Sequence, residues 1–583
     1  MVRRPRSLKR KQAKARGDRV IVLLVLLFII AGGIIFRLFT VQIMAADHYQ
    51  ALAQDQHELY AELIPERGNI IVQDSSSPSG TFTLAANKEL FIVYAVPREV
   101  ENKDRVAREL KDIVQLEEDE IRQAIGDDEN DPYQPIKKHL DKGQADRVRD
   151  LELSGIRLQP ESVRFYPNDS LTSHVIGYVG YMADDNFGGV TGLENYYEEE
   201  LAGERGQLMA EKDARGQWLP VGDRTLQEAV DGDTLVLTID RTIQFHVEEA
   251  LRETIEKHSA ESGSVVVMDP KTGEIIALAN YPDFNPNEYG EVEDVSVFNN
   301  RAIFDLYEPG STFKVIQVAA GIESGKISPG TTFDDPGSLS IGSYTIYNYE
   351  NKSYGTMTVT EAIENSDNVV LAKIAQTTGP DIISDYFDKF GFRELTGIDI
   401  AKESENYIKP ADEWKEIDVA TSGFGQGLTV SPIQLITAIS AFANNGKIMR
   451  PHIVQAIESP DGEVQEIKPE FVRQAVTGKT ALTMSSIMRS AVANGFASPA
   501  DIEGYEIAGK TGTAQVAAEG KKGYDENKKI VSFVGFPVDN PVFIMLVKID
   551  NAKGDYVAGA TVAAPLFKDI AEFIFENQGI PPN

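Results

Sequence analysis

An unbroken apolar run close to the N-terminus constrains this chain more than any other feature. Residues 20–36 read VIVLLVLLFIIAGGIIF without a charge, and apolar character resumes after Arg37 as far as Met44. A helix needs about 20 residues to cross a hydrocarbon core of about 30 Å. A secretory signal peptide has a shorter apolar stretch of about 7–15 residues and a small-residue cleavage site. The run therefore favours a retained transmembrane helix over residues 20–44.

The charges that flank this run predict its orientation. Nine of the first twenty residues are Lys or Arg, against the single acid Asp18. Positively charged flanks stay in the cytoplasm. We therefore expect a basic cytoplasmic tail over residues 1–19, with everything after about Ala45 outside the cytoplasmic membrane.

The composition narrows the class of protein. The chain has 583 residues, a formal net charge of -33 and no Cys. This length corresponds to two or three folded units of about 100–200 residues each. Nucleic acids are bound through clustered Lys and Arg, so the acidic body argues against such a partner. The lack of Cys excludes disulfides, thiolate catalysis and Cys-ligated zinc.

The apolar patterns beyond the run predict two regions. Helical spacing over residues 47–64 predicts that the anchor helix continues out of the membrane, and residues 45–235 show no catalytic constellation. From 236 to 583, a hairpin at 265–279 and two strands within 531–549 enclose mostly helical patterns. Strands at both ends with helices between them predict an α+β domain with an antiparallel sheet.

The second region contains two short motifs with a use in acyl transfer. Ser311-Thr-Phe-Lys314 opens a predicted helix, so Lys314 lies on the face of Ser311 and could take its hydroxyl proton. Ser366-Asp367-Asn368 falls between two helical runs, where an ordinary helix N-cap is the simpler interpretation of the motif in isolation. Each motif alone is a weak signal.

A third motif, Lys510-Thr511-Gly512-Thr513, follows the strand-like residues 505–508, which we expect it to end. Gly512 would let a substrate backbone approach closely. Residues 504–511 also match the Walker A pattern letter for letter, but a P-loop needs a strand before the first Gly and a helix after the Lys. The three motifs in this order outweigh such separate interpretations.

Together the motifs are the signature of penicillin-binding proteins and class A β-lactamases. Longer segments resemble class B penicillin-binding proteins: YEPGSTFK at 307–314, GFGQGLTVSPIQL at 423–435 and AGKTGTAQ at 508–515. RFYPNDSLTSHVIGYVG and GLENYYEEELAGERG resemble the pedestal of that family. The chain departs from the family's pedestal at 71–74, where it reads IVQD in place of the usual Asp-Arg-Asn-Gly.

The resemblance implies a fold and a domain plan. We expect a serine β-lactamase-like transpeptidase domain over 236–583, behind an elongated, dimerisation-type pedestal over 45–235. The Asn of the second motif and the context of the third are more similar to the division and sporulation branch than to the elongation branch. The expected process is septal cell-wall synthesis during cell division.

The resemblance also implies a reaction and its residues. A D,D-transpeptidase would cross-link peptidoglycan stem peptides that end in D-Ala-D-Ala, and β-lactams would acylate the same serine. Ser311 would be the nucleophile and Lys314 its base, while Ser366 would protonate the leaving D-Ala and Asn368 would hold the substrate amide. The substrate carboxylate would bind at the third motif, which comprises Lys510, Thr511, Gly512 and Thr513. No metal or cofactor is required.

Partners follow from the same resemblance. No glycosyltransferase domain is evident between anchor and pedestal, so a separate membrane glycan polymerase and division proteins are expected partners. Two alternatives stay open: a β-lactamase or β-lactam sensor, and a division scaffold whose transpeptidase fold is catalytically silent. A His-based hydrolase is disfavoured, because the seven His are scattered and none lies beside a nucleophile-elbow pattern.

Overall fold

The computed structural model describes residues 58–74, 80–126, 131, 133–182, 186–211, 224–518 and 523–582. The predicted cytoplasmic tail and transmembrane helix lie outside these residues. Among the residues described, no helix is long and apolar enough to cross a membrane.

The strands are numbered along the chain. Those before residue 240 are β1 Glu58–Leu63, β2 Ile70–Gln73, β3 Thr81–Ala95, β4 Gln134–Leu140, β5 Ile156–Phe165, β6 Val179–Tyr181, β7 Phe187–Gly189, β8 Gly206–Glu211, β9 Arg224–Gln227 and β10 Thr234–Leu237. The later ones are β11 Ser262–Met268, β12 Ile275–Tyr281, β13 Thr332–Asp335, β14 Ser338–Ile341, β15 Tyr344–Tyr347, β16 Gly355–Thr358, β17 Lys447–Met449, β18 Val454–Glu458, β19 Val464–Glu466, β20 Phe471–Gln474, β21 Ile507–Ala517, β22 Tyr524–Pro537 and β23 Ile544–Asp550.

The α-helices are numbered in the same way. Those before residue 300 are α1 Lys103–Val114, α2 Glu118–Ile125, α3 Lys142–Asp150, α4 Ser173–Ile176, α5 Gly192–Tyr196, α6 Glu198–Ala202 and α7 Arg241–His258. The later ones are α8 Arg301–Phe304, α9 Lys314–Glu323, α10 Val359–Glu364, α11 Asn368–Thr378, α12 Pro380–Lys389, α13 Glu416–Ser422, α14 Pro432–Ala443, α15 Gly478–Asn494 and α16 Ala563–Asn577.

The described residues form two compact units. The smaller one contains a three-stranded antiparallel sheet in the order β1-β8-β9. The prediction of a helix over 47–64 is therefore wrong for Glu58–Leu63, since these residues pair as a strand with β8. Strand pairing outweighs the helical spacing of a segment this short. The larger unit runs from Glu66 to Gly203 and from Asp231 onward.

A five-stranded sheet is the centre of the larger unit. Its order is β12-β11-β23-β22-β21, and every neighbouring pair is antiparallel. Alternate side chains of β11 enter different hydrophobic clusters, because successive strand residues point to opposite faces. Val265 and Val267 pack with α7 and α16, and Val266 and Met268 pack with the helices that include α9 and α14. This confirms the predicted α+β arrangement with an antiparallel sheet. The predicted domain limits stay a prediction.

A second sheet of the larger unit has the order β19-β18-β10-β2-β3-β4, with β5 also paired to β3. Beside it lies a buried ion cluster of Arg67, Arg164 and Glu194. Glu194 is fully buried, and its two carboxylate oxygens accept from Arg67 Nε and Arg164 Nε, each at 2.6 Å. Burial alone would raise the pKa of Glu194, but the two guanidiniums lower it below its ordinary value.

Removing the charge at the centre of this cluster should destabilise the larger unit. Glu194→Gln leaves the buried guanidinium of Arg164 without its anion and leaves Arg67 with Glu198 alone, and breaking a buried pair in this way typically costs about 3–5 kcal/mol. Glu198→Gln is the matched control, because Glu198 binds Arg67 at 2.7 Å but is partly exposed. We expect Glu194→Gln to lower the thermal unfolding midpoint of the detergent-solubilised chain well below that of Glu198→Gln. Equal midpoints for the two variants would contradict this account.

Candidate active site

The predicted nucleophile lies on a tight turn at the start of a buried helix. Residues 310–313 form a 3-10 turn that leads directly into α9, so Ser311 lies one turn ahead of Lys314. Gly310 has φ +56, a left-handed conformation that favours glycine. A Cβ on Gly310 would lie 3.2 Å from Ala514 Cβ and 3.2 Å from the carbonyl oxygen of Thr513. The turn therefore packs directly against β21 at the third motif.

Lys314 is completely buried, although lysine is rarely found away from water. Its Nζ lies 2.6 Å from the carbonyl oxygen of Ser366, 3.2 Å from Ser366 Oγ and 2.8 Å from Asn368 Oδ1. These three acceptors are all neutral. The first and second motifs are thus joined through one amino group.

Lys510 is also buried, and it reaches the same serine from the central sheet. Its Nζ lies 3.0 Å from Ser366 Oγ and 3.0 Å from the carbonyl oxygen of Thr511. The hydroxyl of Ser366 therefore lies between two lysine amino groups. All three motifs meet at this oxygen.

Burial governs the protonation of both lysines. Burial lowers the pKa of Lys510 to about 7. Burial also lowers the pKa of Lys314 well below its ordinary value, and the neighbouring charge of Lys510 lowers it further, while Asp367 acts in the opposite direction. A neutral Lys314 amine can accept a proton, which a general base requires. The geometry therefore provides a base next to Ser366 and one turn from Ser311.

The second motif forms the predicted turn between two helices. Asp367 caps α11 by accepting from Val370 N at 2.7 Å, so the N-cap interpretation is also correct. Ser366 itself has φ +50, which is uncommon for a residue with a side chain. This conformation turns the carbonyl and hydroxyl oxygens of Ser366 toward Lys314.

A residue that the sequence analysis missed holds this turn in place. Asn348 Oδ1 accepts from the backbone N–H groups of Asn368 at 2.9 Å and Val369 at 3.1 Å. Its Nδ2 donates to Asp367 Oδ2 at 2.7 Å and Asp335 Oδ1 at 2.9 Å. Burial raises the pKa of Asp367 to about 6. Asn is common in turns, so position 348 carried no local signal of this role.

The third motif lies inside a strand rather than at its end. β21 continues through Lys510-Thr511-Gly512-Thr513 to Ala517 because each of these residues pairs with β22. A Cβ on Gly512 would collide with Ser532 Oγ and lie 2.9 Å from Thr312 Cγ2, so only glycine fits between strand and turn. The Walker A interpretation is thereby excluded, since a strand and not a helix follows Lys510.

The remaining predicted residues differ in exposure: Thr511 is buried, Asn368 is partly buried and Thr513 is exposed. Thr513 Oγ1 accepts from Gly559 N at 3.2 Å. Asn368 Nδ2 donates to the carbonyl oxygen of Tyr347 at 3.0 Å. Thr511 Oγ1 lies 3.4 Å from Lys510 Nζ. The structure thus brings together side chains from all three motifs, with Ser311 on the turn that packs against them.

Comparison with protein families assigns both regions of the chain. Residues 263–572 match the family model for the penicillin binding protein transpeptidase domain, which spans more than half of the chain. Residues 62–237 match the model for the penicillin-binding protein dimerisation domain. The chain is a class B penicillin-binding protein.

Curated relatives and solved structures agree with this assignment. The penicillin-binding protein is 32% identical to stage V sporulation protein D of Bacillus subtilis, over 96% of this chain and 86% of the relative. It is 28% identical to the peptidoglycan D,D-transpeptidase FtsI of Escherichia coli K12, over 91% and 87%. Penicillin binding protein 3 of Mycobacterium tuberculosis, crystallised with aztreonam, superposes with a TM-score of 0.68 at 26% identity, covering 90% of this chain and 98% of that one. The resemblance seen in the motifs is thus confirmed.

The lowered pKa of Lys510 leads to a testable dependence on pH. We expect the Lys510 ammonium to bind the carboxylate of a β-lactam. Because a lysine loses its charge as the pH rises through its pKa, acylation by benzylpenicillin should slow above a pH of about 7. The second-order rate constant is the quantity to measure, because it reports the pKa values of the free enzyme.

Benzylpenicillin methyl ester is the matched control, because it lacks the carboxylate. Its rate constant should not fall in the same pH range. The same decline for acid and ester, or no decline for the acid, would contradict the assignment of Lys510.

Proposed function

We propose that this penicillin-binding protein is a membrane-anchored peptidoglycan D,D-transpeptidase that cross-links stem peptides through an acyl-enzyme on Ser311. The observation that carries the proposal is the meeting of Lys314 and Lys510 on Ser366, with the Ser311 turn packed against Thr513. This arrangement supplies a nucleophile, a neutral base and a cation within one site.

Acylation begins when Ser311 Oγ attacks the carbonyl of the penultimate D-Ala while the neutral Lys314 amine takes its proton. Lys314 then passes a proton through the hydroxyl of Ser366 to the departing D-Ala. The short distances from Ser366 Oγ to both amino groups support this relay. Asn368 has a double role, because its Oδ1 accepts from Lys314 while its amide can orient the donor peptide.

Two negative groups need stabilisation: the oxyanion that develops at the attacked carbonyl, and the terminal carboxylate that the donor peptide already carries. The backbone N–H groups of Ser311 and Thr513 would stabilise the oxyanion, which is often the largest single catalytic contribution. The terminal carboxylate would bind to Lys510, Thr511 and Thr513. A compact ammonium such as Lys510 can hold an anion without the planar geometry that Arg requires. Gly512 keeps this edge of β21 close to the Ser311 turn.

The cellular setting follows from the sequence. The predicted tail over 1–19 and anchor over 20–44 would hold the chain in the cytoplasmic membrane, with the catalytic domain outside. Relatives named FtsI and stage V sporulation protein D support a role in division or sporulation. The glycan strands would come from a separate membrane polymerase, and division proteins would recruit both.

The proposal is tested by intact-mass spectrometry of the detergent-solubilised chain after incubation with benzylpenicillin. We expect one stable penicilloyl adduct that maps to the peptide containing Ser311 and is absent from Ser311→Ala. The adduct should persist, because turnover of a lactam would instead indicate a β-lactamase. Ser311→Ala is a small change at a partly exposed turn residue, so its folding can be verified by its melting temperature.

Two results would overturn the proposal. A folded wild-type chain without an adduct would favour the silent-scaffold alternative. Rapid loss of benzylpenicillin without an accumulating adduct would favour the β-lactamase alternative.

Loss of cross-linking in cells that carry only Ser311→Ala, despite normal protein levels, would separately exclude a purely structural role.

A further inference from the structure

Glu308 is an acidic side chain on the segment that leads to the nucleophile, and the proposed acylation does not use it. It precedes Ser311 by three residues and is only partly buried. Its Oε1 accepts from Gly427 N at 3.0 Å, and its Oε2 accepts from Tyr524 OH at 3.0 Å. Both partners are neutral. Within the described part of the chain, no Lys, Arg or His forms an ion pair with this carboxylate.

The backbone around Glu308 is held firmly. Tyr307 exchanges two backbone hydrogen bonds of 3.0 Å with Val430, and Gly310 N donates to the carbonyl oxygen of Gly425 at 3.1 Å. The segment that carries Glu308 and leads to Ser311 is therefore clamped to residues 425–430 at both ends. Tyr524 lies on β22, which pairs with the strand that carries Thr513. Glu308 is thus held between the turn that carries Ser311 and Tyr524, the first residue of β22.

In the second half of the reaction an acceptor amine attacks the acyl-enzyme, and this step needs a negatively charged side chain. The acceptor in cross-linking is a primary amine, which is largely an ammonium at neutral pH. The ammonium of Lys510 would repel a cation, and the neutral amine of Lys314 offers it no negative charge. Asp367 is buried, and its two oxygens are occupied by Val370 N and Asn348 Nδ2. Glu308, three residues before Ser311, is a carboxylate that pairs with no cation among the residues that the structure describes.

We propose that Glu308 binds the ammonium of the acceptor strand and takes its first proton, so that the amine can attack the Ser311 ester. This inference rests on the proposed function and deepens it. Burial raises the pKa of Glu308, which favours proton uptake by its carboxylate. Tyr524 and Gly427 position the carboxylate for this step.

The step balances without any further reactant. The acceptor ammonium gives one proton to Glu308, and the resulting amine attacks the ester carbonyl to form a C–N bond. The tetrahedral intermediate loses a second proton to the neutral amine of Lys314. The bond between the carbonyl carbon and Ser311 Oγ then breaks, and Lys314 returns that proton to Ser311 Oγ. The enzyme leaves the cycle with Glu308 protonated, and Glu308 releases this proton to solvent.

The test compares two nucleophiles that differ in charge. The detergent-solubilised full-length chain is acylated with a benzoyl-D-alanyl thioester, and water competes with D-alanine or with methanol for the acyl-enzyme. Glu308→Gln keeps an oxygen that can accept from Gly427 N but removes the negative charge. Glu466→Gln, at an exposed position on β19, is the matched control.

We expect Glu308→Gln to lower the ratio of D-alanine product to hydrolysis about tenfold or more, as the loss of a charge-assisted hydrogen bond would. The ratio of methanol product to hydrolysis should stay the same, because methanol carries no charge. Glu466→Gln should change neither ratio. Equal falls for D-alanine and methanol, or no fall for D-alanine, would overturn the inference.

A separate readout distinguishes this inference from the proposed function. Formation of the penicilloyl adduct reports on acylation, which does not involve the acceptor amine. If Glu308→Gln forms the adduct and loses only the reaction with D-alanine, both proposals stand. If the adduct forms and both ratios are unchanged, the role of Glu308 is wrong and the transpeptidase proposal survives.

Discussion

Two buried lysine amino groups that share one serine hydroxyl are the interaction on which the rest of this site depends. Removing a lysine from water disfavours its charged form, so Lys314 and Lys510 can stay together only with altered protonation. Their hydrogen-bond partners at Ser366, Asn368 and Thr511 are neutral oxygens, which suit an amine as well as an ammonium. The result is a pair in which one amine can act as a base while the other supplies a positive charge.

Three separate elements of the fold keep the amino groups of Lys314 and Lys510 close together. Lys314 comes from a helix packed on one face of the central sheet, Lys510 from a strand of that sheet, and Ser366 from a turn between two helices. Each element is fixed by a different force. Helix α9 is buried against neighbouring helices, β21 is paired along its length with β22, and the turn is held by the side chain of Asn348. Because three independent elements converge, a small shift in any one would separate the two amino groups.

The proposed roles of Lys510 and Glu308 place opposite charges around Ser311. On the side of β21, Lys510 offers a cation to a carboxylate. Glu308, held by Gly427 and by Tyr524 of β22, would offer an anion to an ammonium. Donor and acceptor strands carry opposite charges at the groups that bind here. Such a pair of opposite charges would sort the two substrates before any contact with the reacting atoms.

Much of this site was predictable because its motifs are local in sequence. Apolar patterns predicted the hairpin at 265–279 and the terminal strands within 531–549, and the tertiary contacts of these elements agree with the patterns. The motif residues Lys314, Ser366, Asn368 and Lys510 meet as the resemblance implied. The individual catalytic roles stay predictions.

The incorrect or missing sequence predictions have physical causes. Glu58–Leu63 has helical spacing, yet pairing with β8 decides its structure, and a distant strand cannot be read from a local pattern. The third motif seemed to end a strand because Gly and Thr interrupt the apolar run, whereas pairing with β22 carries the strand through it. Asn348 was missed because its partner Asp367 lies 19 residues away, and the proposed role of Glu308 depends on Tyr524, 216 residues away.

The central claim is tested most directly by a crystal structure of the chain acylated with benzylpenicillin. The account predicts an ester bond to Ser311 Oγ, with the ester carbonyl oxygen between the backbone N–H groups of Ser311 and Thr513. It also predicts the lactam carboxylate on Lys510 and Thr511, with Lys314 still bonded to Asn368. An ester on another residue, or a carboxylate bound away from Lys510, would contradict the account.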